Sequence, residues 1–158
     1  MASPIPSFYR HLFTTIEPIL ATTGALQALF QPQLLLAATV PSVPYSPSLS
    51  PLFTQFTGSW LMLAYHDFFV LRSPSNAHDV SVWRHTLAAS SISDLFYTIS
   101  LVQSMTPANF FNPLNWGWME AIAVVTTVGP FLGKLCFLSG LGVGVSQKKT
   151  EVGGKKTN

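Results

Sequence analysis

In a chain of 158 residues with only 9% charged side chains, the groups able to do acid-base chemistry are few enough to name. Those that fall inside its apolar stretches are Glu17, Asp67, Asp94, Glu120 and Lys134, with His66 beside Asp67. A carboxyl held neutral in an apolar pocket is a general acid able to protonate an alkene, an epoxide or a carbonyl, and a neighbouring carboxylate takes a proton back. Three carboxyls, Glu17, Asp67 and Asp94, face one ammonium, Lys134, so at least one is expected to keep its proton near neutral pH. These three are the candidate catalytic acids, with His66 as proton relay. Lys134 and Arg72 are the charge partners, and Trp116 and Glu120 are candidate substrate or charge contacts at the far end of the last apolar stretch. The same chemistry serves a proton-coupled carrier. A structural role is the alternative: polar groups between helices act as packing glue, and small residues such as Ser90, Ser91 and Ser93 allow close approach.

Other chemistries lack their signatures. No HxxxH, HxxE or CxxC spacing occurs, and adjacent His66 and Asp67 point to different sides of a helix, so no metal is expected. Neither a GxSxG elbow, a phosphate-cradling glycine loop nor a dinucleotide fingerprint is present, and no cofactor is expected. The single cysteine, Cys136, lies in an apolar run and reads as an inert buried thiol. A formal net charge of +2 supplies no basic stripe for nucleic acid.

The elements that must position these residues follow from the apolar pattern. Soluble domains carry about 25% charged residues, several times the density found here. Four apolar stretches, at about 12–30, 52–71, 86–105 and 118–141, each approach the roughly 20 residues that cross a hydrocarbon core. The expected fold is therefore all-α, an integral membrane bundle of four transmembrane helices within residues 1–145, followed by a disordered tail over 146–158. The first stretch is not expected to be a cleaved signal, because Glu17 and Pro18 interrupt it. Pro18 and Pro130 are expected to kink the first and last helices.

The connections read as a solvated linker over PSVPYSPSLSP (41–51), a Ser-Pro turn ending near Trp83 at headgroup level, and a compact aromatic turn over TPANFFNPLNWGW (106–118). Trp116 and Trp118 read as belt residues, and GLGVG (140–144) as a flexible exit. With four spans, Arg10, Arg72, Arg84, Lys148, Lys149, Lys155 and Lys156 all fall on one side and no basic residue on the other, which places both termini in the cytosol. At 1.5 Å per residue, Glu17 and Asp67 lie roughly 8 to 11 Å inside that boundary and Asp94 about 15 Å, with Lys134 in the same half of its span. These four are expected to meet. Glu120, at the opposite end, is not.

The order FYRHLFTTIEP, FQPQ, HDFFVLRS, VWRHTL, SDLFY and NPLNWGW resembles a family of small fungal four-span proteins known only as a domain of unknown function, over about residues 8 to 143. Glu17, Asp67, Arg72, Trp83, Arg84, Asp94, Asn115 and Trp116 occupy that family's recurrent places. The chain departs from it where SDLFY lacks a Gly-His pair and where Lys134 replaces an arginine. The resemblance implies a fold and a fungal origin, without an activity. In span number and buried acids the chain also looks like emopamil-binding-type sterol isomerases, and in intramembrane carboxyls like fungal integral membrane terpene cyclases, which are longer.

The function expected on these grounds is membrane-embedded biosynthesis of a fungal specialised metabolite, by a cyclase or isomerase acting on a lipophilic terpenoid or polyketide intermediate. The alternative is a non-catalytic scaffold, accessory protein or small-molecule carrier. Expected partners are the lipid bilayer, a lipophilic small molecule and other membrane-bound pathway enzymes, with the endoplasmic reticulum as the default location.

Overall fold

The computed structural model of the chain describes residues 4–40 and 42–144. The expected tail, with Lys148, Lys149, Lys155 and Lys156, lies outside the described residues, as does Pro41. Within them the chain is helical, with no strand. We number the helices α1 (Ser7–Phe30), α2 (Pro32–Thr39), α3 (Ser50–Tyr65), α4 (Val80–Met105), α5 (Pro107–Phe110) and α6 (Trp118–Leu138). A long helix thus covers each of the four apolar stretches. Among the described residues, α6 is the one helix long and apolar enough by itself to cross a membrane, and the bent pair α1–α2 qualifies if taken as one broken span.

Two of the helices contain a π turn. In α1 it spans Leu12–Ile16, and its cause is in the sequence. Pro18 has no N–H to give to the Thr14 carbonyl four residues back and its ring crowds that carbonyl, so the preceding turn widens: the N–H of Glu17 donates to the carbonyl of Leu12. The helix widens here and continues. Pro130 likewise sits inside α6 without ending it. The second π turn, His66–Val70, extends α3 and packs against the first. The Leu71 N–H donates to the carbonyl of His66 at 3.2 Å, and the Asn76 side chain caps the carbonyl of Val70 at 3.0 Å.

Helix α2 went unforeseen. Gln31 (φ −140°, ψ 52°) breaks α1 before Pro32, and PQLLLAAT then turns back at 115° as a separate helix. Its Leu35 and Leu36 pack with Ala28 and Phe53. The linker also carries local structure, since Pro47–Leu49 forms a 3-10 turn and Tyr45 packs on Phe53. The aromatic turn is compact: the indole N–H of Trp116 donates to the carbonyl of Asn109 at 2.9 Å.

The long helices pack chiefly as α1 on α3 and α4 on α6, with α2 against α6. Trp83, expected at headgroup level, is instead 1% exposed in a cluster with Tyr9, Phe13, Leu71, Leu87 and Phe137, because its position near the start of α4 faces the first turns of α1. GLGVG is likewise an ordered cap rather than a loose exit. Gly140 takes φ +86°, its N–H donates to the carbonyl of Phe137, and the Leu141 N–H reaches that of Cys136, the double bond of a Schellman motif. The Tyr9 hydroxyl donates to the Leu141 carbonyl and the Gly144 N–H to that of Pro4, tying the two ends of the described chain together.

Apolar side chains face outward on every long helix, with Phe30 72%, Phe96 66% and Val125 63% exposed, while Lys134 is 0% exposed. Apolar groups thus occupy the surface as well as the core, where Tyr9, Phe13, Trp83 and Phe137 are buried.

Candidate functional site

Lys134 projects from the C-terminal part of α6 into the centre of the helices. Its ammonium pairs with the Glu17 carboxylate of α1 and, at 2.7 Å, with Oδ2 of Asp94 on α4. One cation therefore joins three helices. Glu17 follows the π turn of α1 directly, so the widening caused by Pro18 helps set the face on which this carboxylate emerges. Gly133 lets α1 come close: a Cβ there would lie 2.8 Å from Cδ2 of Leu12, inside the π turn.

Asp67 is the fourth member. It lies inside the second π turn, is 1% exposed, and feels the charges of Glu17, Lys134 and Asp94. Neither of its carboxyl oxygens has a hydrogen-bond partner among the described residues, and Oε2 of Glu17 also lacks one. An unpaired carboxylate buried in this way would cost several kcal/mol, on the order of the desolvation penalty of one ion. Glu17, Asp67, Asp94 and Lys134, singled out in the sequence, are thus brought together.

The other singled-out residues are elsewhere. His66 is exposed and edge-on to Tyr65 at 6.1 Å; one residue from Asp67 on the helix, it points away from the acids. A relay through it has no path here. Arg72 is exposed as well, its guanidinium donating to Oγ1 of Thr15 at 2.7 Å and lying 4.2 Å from the ring centroid of Phe68, and among the described residues it pairs with no carboxylate. Glu120 accepts the Gly117 N–H at 2.7 Å and serves as a helix cap at the start of α6. Trp116 holds the aromatic turn, as described above.

Glu17 and Asp94 open onto a pocket of about 250 Å³ between the helices. On α1 its wall runs through Glu17, Ala21, Gly24 and Gln27, positions three to four apart and so on one face. Trp60 of α3 packs against Gly24, where an added Cβ would be 3.0 Å from the ring, and meets Tyr97 of α4 edge-to-face at 5.7 Å. Leu35, Ala38 and Thr39 of α2 close another side. Sequence reasoning found the acids and missed this wall; the signal for it was the apolar run after Gln31-Pro32 and the i, i+3/4 spacing of small residues from Glu17 onward. Apart from its two carboxyls the pocket is mainly apolar, suited to a lipophilic molecule offering one polar group to the acids.

Fold and site together define a class, an all-helical protein with a carboxyl–ammonium cluster at one end of an apolar pocket among its helices. The chain belongs to the family described as Domain of unknown function (DUF7704), whose model matches residues 2–144. No curated protein and no solved structure matches it.

Proposed function

We propose that this protein is a four-span integral membrane protein with cytosolic termini that binds a lipophilic small molecule in the pocket beside Glu17 and Asp94 and converts it by acid-base chemistry. The observation that carries the reading is the joining of two carboxyls to one buried ammonium at the wall of an apolar pocket, with a further oxygen of Glu17 that has no donor among the described residues. Outward-facing phenylalanines, isoleucines and valines support the membrane setting.

The chemistry is redox-neutral. A carboxyl gives its proton to an alkene carbon, an epoxide oxygen or a carbonyl oxygen of the bound molecule, and the cationic intermediate returns a proton from a neighbouring carbon to a carboxylate. Isomerisation or cyclisation results with all atoms conserved. Lys134 holds Glu17 and Asp94 apart and oriented, and the surrounding apolar wall excludes water from the cation.

Membranes from cells with and without the gene, incubated with candidate lipophilic precursors and analysed by mass spectrometry, test this directly. Glu17→Gln and Asp94→Asn are expected to insert and accumulate normally while conversion is lost. Conversion that persists in both variants would refute the assignment of these acids.

A packing role is the second reading, favoured by the way Lys134 ties α1, α4 and α6. It predicts instead that both variants fail to accumulate. A carrier differs again: deletion leaves a finished metabolite trapped in the cell, whereas loss of an enzyme leaves unconverted precursor.

A further inference from the structure

A second pocket, of about 520 Å³, opens one to two turns before Glu17, where the first turns of α1 face the chain around Leu71, Arg72 and Ala77. Arg10, His11 and Arg72 line it, together with Ser7, Thr14 and Thr15, and no carboxylate does. Among the described residues the ion pairs are those of Lys134, so neither arginine is neutralised by an acid. From these observations we infer that this pocket binds a phosphate ester, carried by a lipid headgroup or by a soluble compound.

The donors are partly pre-positioned. Stacking on Phe68 at 4.2 Å and a hydrogen bond to Oγ1 of Thr15 at 2.7 Å hold the Arg72 guanidinium across from α1. Having accepted that bond, the Thr15 hydroxyl keeps its own proton to donate. The Thr14 hydroxyl is spent on the Arg10 carbonyl at 2.7 Å, which fixes the turn that carries Arg10. Trp83 forms another part of the lining, 1% exposed, and its indole N–H has no acceptor among the described residues. Donors and positive charge are in surplus and acceptors are scarce. A phosphate oxygen cluster matches two guanidinium forks in shape and charge better than a single carboxylate does.

This site stands apart from the acid pocket, and its failure would leave the proposed chemistry untouched. The full chain purified in a phosphate-free maltoside detergent serves as the test, with thermal unfolding read against added phosphatidic acid, inorganic phosphate or diacylglycerol. Phosphatidic acid is expected to raise the midpoint and diacylglycerol, its phosphate-free counterpart, to leave it unchanged. A rise with inorganic phosphate too assigns recognition to the phosphate group itself and admits soluble esters; a rise with phosphatidic acid alone assigns a lipid. The double variant Arg10→Gln/Arg72→Gln should weaken binding by about tenfold or more, as loss of charge-assisted hydrogen bonds requires. Arg84→Gln, a basic residue outside the pocket, should not. If the double variant misfolds, Arg10→Gln alone decides, because that side chain is exposed. No rise with either phosphate compound, an equal rise with diacylglycerol, or full binding by the arginine variants overturns the inference.

Discussion

Lys134 and Asp67 occupy the same cluster and should respond to substitution in opposite ways. Replacing Lys134 by methionine leaves a buried Glu17 and a half-buried Asp94 without their cation, and breaking a buried pair by removing one partner costs about 3–5 kcal/mol. Unfolding of Lys134→Met in detergent should show a loss of that order. A triple variant that also carries Glu17→Gln and Asp94→Asn should recover much of it, because no uncompensated charge then remains among those three positions. An equally unstable triple variant would show that shape, rather than charge balance, governs the site. Asp67 has no donor to lose. The isosteric Asp67→Asn should therefore keep the stability of the parent or exceed it, whereas Asp67→Ala, which empties space in a fully packed turn, should lower it. Thermal midpoints of the two variants, measured side by side, check that contrast.

Glycines at two points of the helices separate close approach from empty space. At Gly24 a Cβ would press into the Trp60 ring at 3.0 Å, and that ring is in turn held against Tyr97. At Gly58 of α3 nothing outside the local chain lies within 4 Å. An interior glycine costs a helix roughly 0.5–1 kcal/mol relative to alanine, so Gly58→Ala should be neutral or stabilising by up to that amount. Gly24→Ala gains the same propensity but must displace Trp60, and it should come out less stable than Gly58→Ala by about 1 kcal/mol or more, the scale of mild overpacking. Unfolding curves for the two alanine variants make the comparison. Equal stability would mean that α1 and α3 are free to separate at this level. The π turns belong to this scale too: Pro18 widens α1 one turn before its acid, and the matching widening of α3 carries Asp67 inward and His66 outward. Pro18→Ala should let α1 relax toward an ordinary helix and shift the face on which Glu17 emerges. Were the site active, that variant would lose conversion while remaining folded.

For the whole molecule, the distribution of side chains is the decisive property. Glu17, Asp67, Asp94 and Lys134 converge inside while many large apolar groups face out, so the chain should be extracted from membranes only by detergent. In a background of Cys136→Ala, single cysteines introduced at Ser48, in the proline-rich connection, and at Ser75, in the connection between α3 and α4, should be labelled from opposite sides of sealed vesicles. Labelling of both from one side would rule out a membrane crossing by α3. The arginine-lined pocket draws Arg72 and Ala77 from the same connection as Ser75.

What the sequence determined by itself was composition-borne: helices over the four apolar stretches, sparse charge, and four ionisable side chains that apolar surroundings would drive together. Burial of a charge without a partner is so unfavourable that Glu17, Asp94 and Lys134 had few other arrangements available. Tertiary structure decided matters that depend on rotation about a helix axis and on small differences in packing. It turned His66 outward, since neighbouring residues diverge on a helix, and it gave Arg72 a hydroxyl and a ring in place of a carboxylate. Trp83 was drawn into the core and Glu120 became a cap, each for local geometric reasons that residue type does not encode. The pocket itself emerged only when α2 folded back after Gln31 and Trp60 came to rest on Gly24, because a cavity is a property of surfaces that meet and belongs to no single stretch of chain.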